Sequence, residues 1–216
     1  MAPFTVLHVC MGNICRSPMA ERLLARAIRD RVGEPADHLV RNVSAGTGGW
    51  HEGEEMNPPA ARQVRARGGS VDGFEARKLR GDFIDEADLI LTATADQVDY
   101  VTALRPQARS RTFVLGEFGR LLGAVDPATL PPAEADPEAV HARGAAIVTA
   151  VARLRGDDPP LAGDDLADPW GRGDQTFQRS GEEIEDATVP FATLLMASLR
   201  SAGTAPREAD NDGRSA

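Results

Sequence analysis

Cysteine is nearly absent from the 216-residue chain: Cys10 and Cys15 are the only two, and both lie near the N-terminus. That excludes a disulfide framework and makes a reducing, cytoplasmic setting the expectation. Long apolar runs are missing, and Met1–His8 has no basic start of the kind a secretory signal carries, so no membrane partner is expected. Lysine is missing too, apart from Lys78; arginine supplies the rest of the 24 basic side chains, a bias that fits a GC-rich genome better than any chemistry. There is no basic stripe. The net charge of −9 comes wholly from residues 122–216, since residues 1–121 are balanced, and an acidic back half repels nucleic acid. No His/Cys cluster completes a zinc site around the two cysteines, so no metal and no cofactor are expected. There is no internal repeat.

What is present alternates between strand and helix. Phe4–Val9 reads as an apolar strand and Cys10–Ser17 as a tight turn. Pro18–Arg31 reads as a helix with Ser17 at its N-cap, its Met19, Leu23, Leu24, Ala27 and Ile28 recurring at helical spacing. Leu39–Ser44, Leu89–Thr92 and Thr112–Leu115 read as further strands. Helices are expected from Asn57 to Arg67, over Asp82–Ala87, Asp96–Leu104, Glu117–Leu122 and Glu138–Arg155, and finally over Gly181–Leu199, bent at Pro190. This order predicts an α/β fold, a small parallel sheet with helices on both faces. The stretch 123–166, rich in Pro and Asp at both ends, reads as an insertion or lid. Residues 201–216 hold almost nothing apolar and read as a disordered tail.

The sharpest signal is Cys10-Met11-Gly12-Asn13-Ile14-Cys15-Arg16-Ser17-Pro18, between a strand and a helix. Successive loop amides and the helix N-terminus there favour an oxyanion such as phosphate. Gly12 and Asn13 tolerate positive φ, and Arg16 offers a planar fork for two phosphoryl oxygens. The same field favours the thiolate of Cys10, to which Ser17 can donate a hydrogen bond. A thiolate in an oxyanion cradle is arranged to attack phosphorus in line.

Val9–Glu21, VCMGNICRSPMAE, resembles the signature of the low-molecular-weight protein tyrosine phosphatases. The likeness continues through VSAGTGGWHEG at Val43–Gly53 and ADLILT at Ala87–Thr92, and resumes at ADPWG, Ala167–Gly171. It implies a flavodoxin-like phosphatase I fold over 1–200 and a protein phosphotyrosine phosphatase working in two steps through a phosphocysteine, on phosphotyrosine-containing proteins or peptides. Cys10 and Arg16 would then be catalytic, with Met11, Gly12, Asn13, Ile14, Cys15 and Ser17 forming the phosphate loop. Ser44 resembles the residue that braces Asn13. Trp50 and His51 resemble the loop flanking the pocket mouth.

A phosphatase of this kind needs an aspartic acid that protonates the departing oxygen and then activates water. Four Asp-Pro pairs compete: Asp126, Asp136, Asp158 and Asp168. The first three sit in stretches where a turn is the plainer reading. Asp168 is followed by Trp170 and Gly171, in an order similar to the family's acid loop, which makes Asp168 the expected acid and Trp170 a gate residue beside Trp50. Tyrosines usually follow the Asp-Pro in that family, so one aromatic wall is expected to differ. The resemblance also implies a reversible Cys10–Cys15 disulfide under oxidant.

Three other readings share the scaffold. Arsenate reduction would need a cysteine relay, and no cysteine follows residue 15. Arginine phosphatases tend to carry Thr where Ile14 stands. A non-catalytic phosphoprotein-binding module would be expected to lose Cys10, Arg16 or the acid. His8 reads as a core histidine, and His38 and His141 as solvated.

Overall fold

The structure is a computed structural model that describes residues 2–33 and 36–197. In chain order it holds β1 (Phe4–Cys10), α1 (Arg16–Val32), α2 (Ala36–Leu39), β2 (Val40–Gly46), α3 (Pro58–Ala66), α4 (Gly81–Glu86), β3 (Leu89–Thr92), α5 (Ala95–Leu104), β4 (Thr112–Val114), α6 (Leu115–Leu122), α7 (Pro137–Arg155) and α8 (Asp174–Leu195). Short 3-10 turns at Pro106–Arg111 and Pro127–Thr129 complete it. The expected tail, and the last residues of the expected final helix, lie outside the described residues.

The four strands form one parallel sheet in the order β2-β1-β3-β4. β1 is buried at every position, as a central strand covered on both faces must be. Its side chains divide by the period of two. Phe4, Val6 and Cys10 join the larger core with α1, α6, α7 and α8, whereas Leu7 and Val9 join a smaller one with Leu79, Ile84 and Val101. From β1 the chain goes to β2 on one side, and β3 lies on the other. The order therefore reverses at β1, and a crevice opens at its carboxyl end, at Cys10.

Three helices start two or more residues before the expected position, α6 among them at Leu115 instead of Glu117, which takes the last residue of the expected strand Thr112–Leu115. α1 begins at Arg16 rather than Pro18 and has no side-chain cap, because Ser17, the expected cap, is hydrogen-bonded elsewhere. α8 begins at Asp174, seven residues before Gly181. Phe177 and Ser180 are buried on that first stretch, and Gln178–Glu182 and Arg179–Glu183 pair along it. Gly181 is inside the helix because Arg67 crosses it: a Cβ there would lie 2.7 Å from the guanidinium carbon. β2 likewise runs on to Gly46, two residues past its expected end.

A lid over 123–166 meets a different arrangement. Val140, Ile147, Val148 and Val151 of α7 sit in the same core as the sheet, and Gly144 lies against the Phe4 ring. α7 is a packed layer. His141, read as solvated, is half-buried, with its Nε2 3.2 Å from Asp88 and its ring edge-on to Phe4. His38 is exposed and His8 fully buried, where burial pushes its pKa down to about 4 and keeps it neutral. Among the described residues no helix is long and apolar enough to cross a membrane.

Since Ile147 is wholly buried, Ile147→Ala should cost about 2–5 kcal/mol of stability. Urea unfolding measures it. A loss below about 0.5 kcal/mol, as at an ordinary surface position, would contradict the packing described for α7.

Candidate active site

The loop from Cys10 to Arg16 is shaped by how its carbonyls are held. Those of Cys10, Met11 and Ile14 accept hydrogen bonds from the amides of Thr47, Gly48 and Asn57, each at 2.9 Å. Pulling the carbonyls outward turns loop amides inward, and the uncapped N-terminus of α1 adds its free N–H groups. The close approach of β2 needs Gly46, where a Cβ would lie 2.7 Å from the Met11 carbonyl oxygen. Of the two residues expected to take positive φ, only Asn13 does, at 54°. Gly12 supplies room instead: a Cβ there would come within 3.1 Å of the His51 ring.

Asn13 is buried and makes three bonds. Its Oδ1 accepts from the Arg77 amide at 2.9 Å, which settles which end of the side chain is oxygen. Its Nδ2 then donates to Ser17 Oγ and to Ser44 Oγ, both at 2.9 Å. Ser44 passes its own proton to Glu21 Oε2 at 2.5 Å. Ser17 Oγ lies 3.0 Å from Cys10 Sγ, and toward a thiolate it can only donate. The expected brace at Ser44 is in contact with Asn13, and the network has two branches, one running through Ser44 to Glu21 and the other bringing the Ser17 hydroxyl to the sulfur.

Arg16 is buried beside it. Nη1 donates to the Leu166 carbonyl at 3.0 Å, and Nη2 lies 3.1 Å from Asp168 Oδ2. Its Nε has no partner among the described residues. Cys10, Met11, Gly12, Ile14, Cys15 and Arg16 line a cavity of about 140 Å³, closed at the rim by Trp50, His51, Asp168 and Trp170. The other three Asp-Pro aspartates are not at this cavity. Asp126 caps the turn at Pro127, Asp136 caps α7 through Glu138 and Ala139, and Asp158 follows the end of α7.

A family model described as low molecular weight phosphotyrosine protein phosphatase matches residues 5–129. The chain belongs to this family. A low molecular weight protein-tyrosine-phosphatase of Streptomyces coelicolor is 37% identical over 125 residues, which are 58% of this chain and 71% of that one. The corresponding protein Etp of Escherichia coli K12 is 33% identical over 114 residues, 53% and 70% of the two chains. Among solved structures, the tyrosine phosphatase amsI of Erwinia amylovora superposes with a TM-score of 0.59 at 22% identity, covering 92% of this chain and 95% of its own. The YwlE arginine phosphatase of Geobacillus stearothermophilus does so with 0.61 at 24%, covering 90% and 94%. Both share the fold.

In this phosphatase the rim is aromatic and exposed. Trp50 is 72% and Trp170 55% accessible. His51 holds the rim together: its ring packs against Trp170 with centroids 5.4 Å apart, and its Nδ1 lies 2.8 Å from Glu54. Cys15 is buried behind the loop. Burial, then the nearby Cys10 and Asp168 charges, push its thiol up to about 12, so it stays protonated and does not compete as a nucleophile.

Sequence reasoning passed over Glu21 and Arg77 as working parts. Glu21 left a signal: a carboxylate four residues after Ser17, on the helix face that also carries Leu24 and Ile28. Arg77 left none, because its backbone amide does the work.

Glu21 is nearly buried, and burial raises its pKa against the pull of Ser44, Arg22 and Arg77. A carboxyl with a raised native pKa costs no stability below its unfolded pKa, and the cost grows as pH rises through the native one. A neutral carboxamide in its place would accept the Ser44 bond without that cost. The melting temperature of Glu21→Gln relative to wild type should therefore shift in the variant's favour between pH 4 and pH 7. A difference independent of pH would refute it.

Proposed function

We propose that this phosphatase hydrolyses phosphotyrosine in proteins and peptides through a phosphocysteine, with Cys10, Arg16 and Asp168 as the reacting groups. The observation that carries the reading is the Ser17 hydroxyl, held by Asn13 at 3.0 Å from Cys10 Sγ, where it can donate to the thiolate. A bound phosphoryl group would take the inward amides and the unpartnered Nε of Arg16. Cys10 sulfur then bonds to phosphorus as the P–O bond to tyrosine breaks, and Asp168 gives its proton to the leaving oxygen. In the second step water attacks phosphorus, Asp168 takes its proton and the S–P bond breaks. Phosphate leaves, and the Ser17 hydroxyl steadies the departing thiolate.

The cavity wall favours an aryl ring over a guanidinium. Ile14 is apolar there, two indoles form the rim, and Asp168 is the one carboxylate among the lining residues. A phenyl group and a guanidinium can both stack on indole, and it is the apolar Ile14 that leaves the N–H groups of a guanidinium short of acceptors in this wall.

Cys10→Ser should abolish turnover while phosphate and vanadate still bind, because the amides and Arg16 remain. Turnover near the wild-type rate in that variant sinks the nucleophile assignment. Asp168→Asn should slow phosphotyrosine hydrolysis by about a hundred- to ten-thousand-fold, the range for a lost general acid. The loss should shrink for p-nitrophenyl phosphate, whose leaving group needs no proton. If Asp158→Asn or Asp126→Asn shows that leaving-group dependence instead, the acid has been misplaced.

A further inference from the structure

Beside the catalytic cavity lies a second, larger groove of about 570 Å³ that shares Met11, Arg16 and Asp168 with it as a common wall. A residue next to a phosphotyrosine seated in the cavity can reach the groove over this shared wall. The far side is formed by the start of α5 and by the segment before Asp168. Two features there are idle in the fold. Asp96 has no hydrogen bond or ion pair among the described residues. Gln97 is buried, only 6% accessible, and its Oε1 takes the amides of Ala93 and Thr94 at 3.0 and 3.1 Å. That fixes the amide orientation and leaves Nε2, a donor on the groove wall, without a partner among the described residues. Asp165 spends one oxygen on the Ala95 amide at 2.8 Å and keeps the other. Tyr100 presents its ring to solvent at 38% accessibility.

We propose that this groove is a substrate subsite that takes an arginine or lysine flanking the phosphotyrosine, together with a main-chain carbonyl of the same peptide. The proposal rests on the phosphotyrosine reading above. The cationic head would lie between Asp96 and Asp165 and over the Tyr100 ring, with the aliphatic stem along the half-exposed Met11. The idle Gln97 Nε2 is what makes a peptide the occupant rather than a bare cation. A free cation needs only acceptors, and this wall also offers, on an otherwise buried side chain, a free donor suited to a peptide carbonyl. Apart from Arg16, which is already engaged by Leu166 and Asp168, no basic side chain lines the groove. An acidic flanking residue would therefore meet like charge.

The test compares kcat/KM on phosphotyrosine pentapeptides carrying Arg, Ala or Glu in turn at each position beside the phosphotyrosine. At the best position wild type should prefer Arg over Glu by on the order of tenfold, the sum of two exposed charge pairs and one cation–π contact. The preference should appear in KM and weaken with added salt. Asp96→Asn should reduce the ratio, Tyr100→Ala should reduce it further for Arg than for Lys, and Asp96→Arg should invert it, which a merely structural role for Asp96 would not do. Equal rates on Arg and Glu peptides at every position, or a preference unchanged in Asp96→Arg, overturn the subsite. Hydrolysis of phenyl phosphate by wild type separates the two levels: if it proceeds while the peptides are not discriminated, the subsite alone fails, and if it does not proceed the phosphatase reading fails with it.

Discussion

The Asn13 side chain touches three separate segments at once: the start of α1 through Ser17, the end of β2 through Ser44, and the approach to α4 through the Arg77 amide. Much else in the site follows from holding that one amide. Left-handed backbone at residue 13 costs roughly 1 kcal/mol for a non-glycine, and the three bonds more than offset it. Because the amide has one acceptor end and one donor end, the network has a direction. The backbone N–H of Arg77 can only donate, so the Asn13 nitrogen must face the two serines, and each serine proton is then sent onward. Flipping the Asn13 amide would set its nitrogen against the Arg77 N–H, a buried donor facing a donor, which costs about 1–3 kcal/mol.

The fold puts this network where it can act. A parallel sheet whose order reverses at β1 opens at the carboxyl end of that strand, and the loop that follows carries the cysteine. Wrapping the loop back onto β2 requires main chain to touch main chain at Gly46. The left-handed backbone at Asn13 thus lies within the loop, while both faces of the sheet are filled with ordinary apolar packing. α7 adds to that packing on the side of the larger core.

The sequence made most of this legible through period and punctuation. Strands of the sheet stood out as short apolar runs, and the helices after them by their 3.6-residue spacing. What escaped has a common cause. Ser17 looked like a helix cap because cap chemistry is local, and its recruitment by Asn13 and Cys10 is tertiary. Gly181 looked like a helix start because glycine breaks helices on average, whereas here it makes room for Arg67 arriving from α3's end. The Pro- and Asp-rich flanks of 123–166 read as a lid because such composition marks loops, but Asp136 simply caps a helix whose apolar face is buried. Among the four Asp-Pro aspartates, the sequence could rank them only by their neighbours. Two of the other three turn out to be held by backbone amides in caps, a use that no residue count reveals.

Charge sets the remaining constraint. A phosphate dianion must enter a chain of net charge −9, and a uniform field of that sign would oppose it. Screening resolves the conflict: at physiological salt, charges beyond about 8 Å weigh little, so the acidic back half acts weakly on the cavity. What the dianion meets at contact distance is Arg16, the inward amides and the N-terminus of α1, in a site partly closed to water where such groups act most strongly. Asp168 is the exception, held against Arg16 at 3.1 Å. In the proposed reaction, its place on that guanidinium would keep the acid within reach of the leaving oxygen and would make the clamp and the acid answer to the same incoming charge.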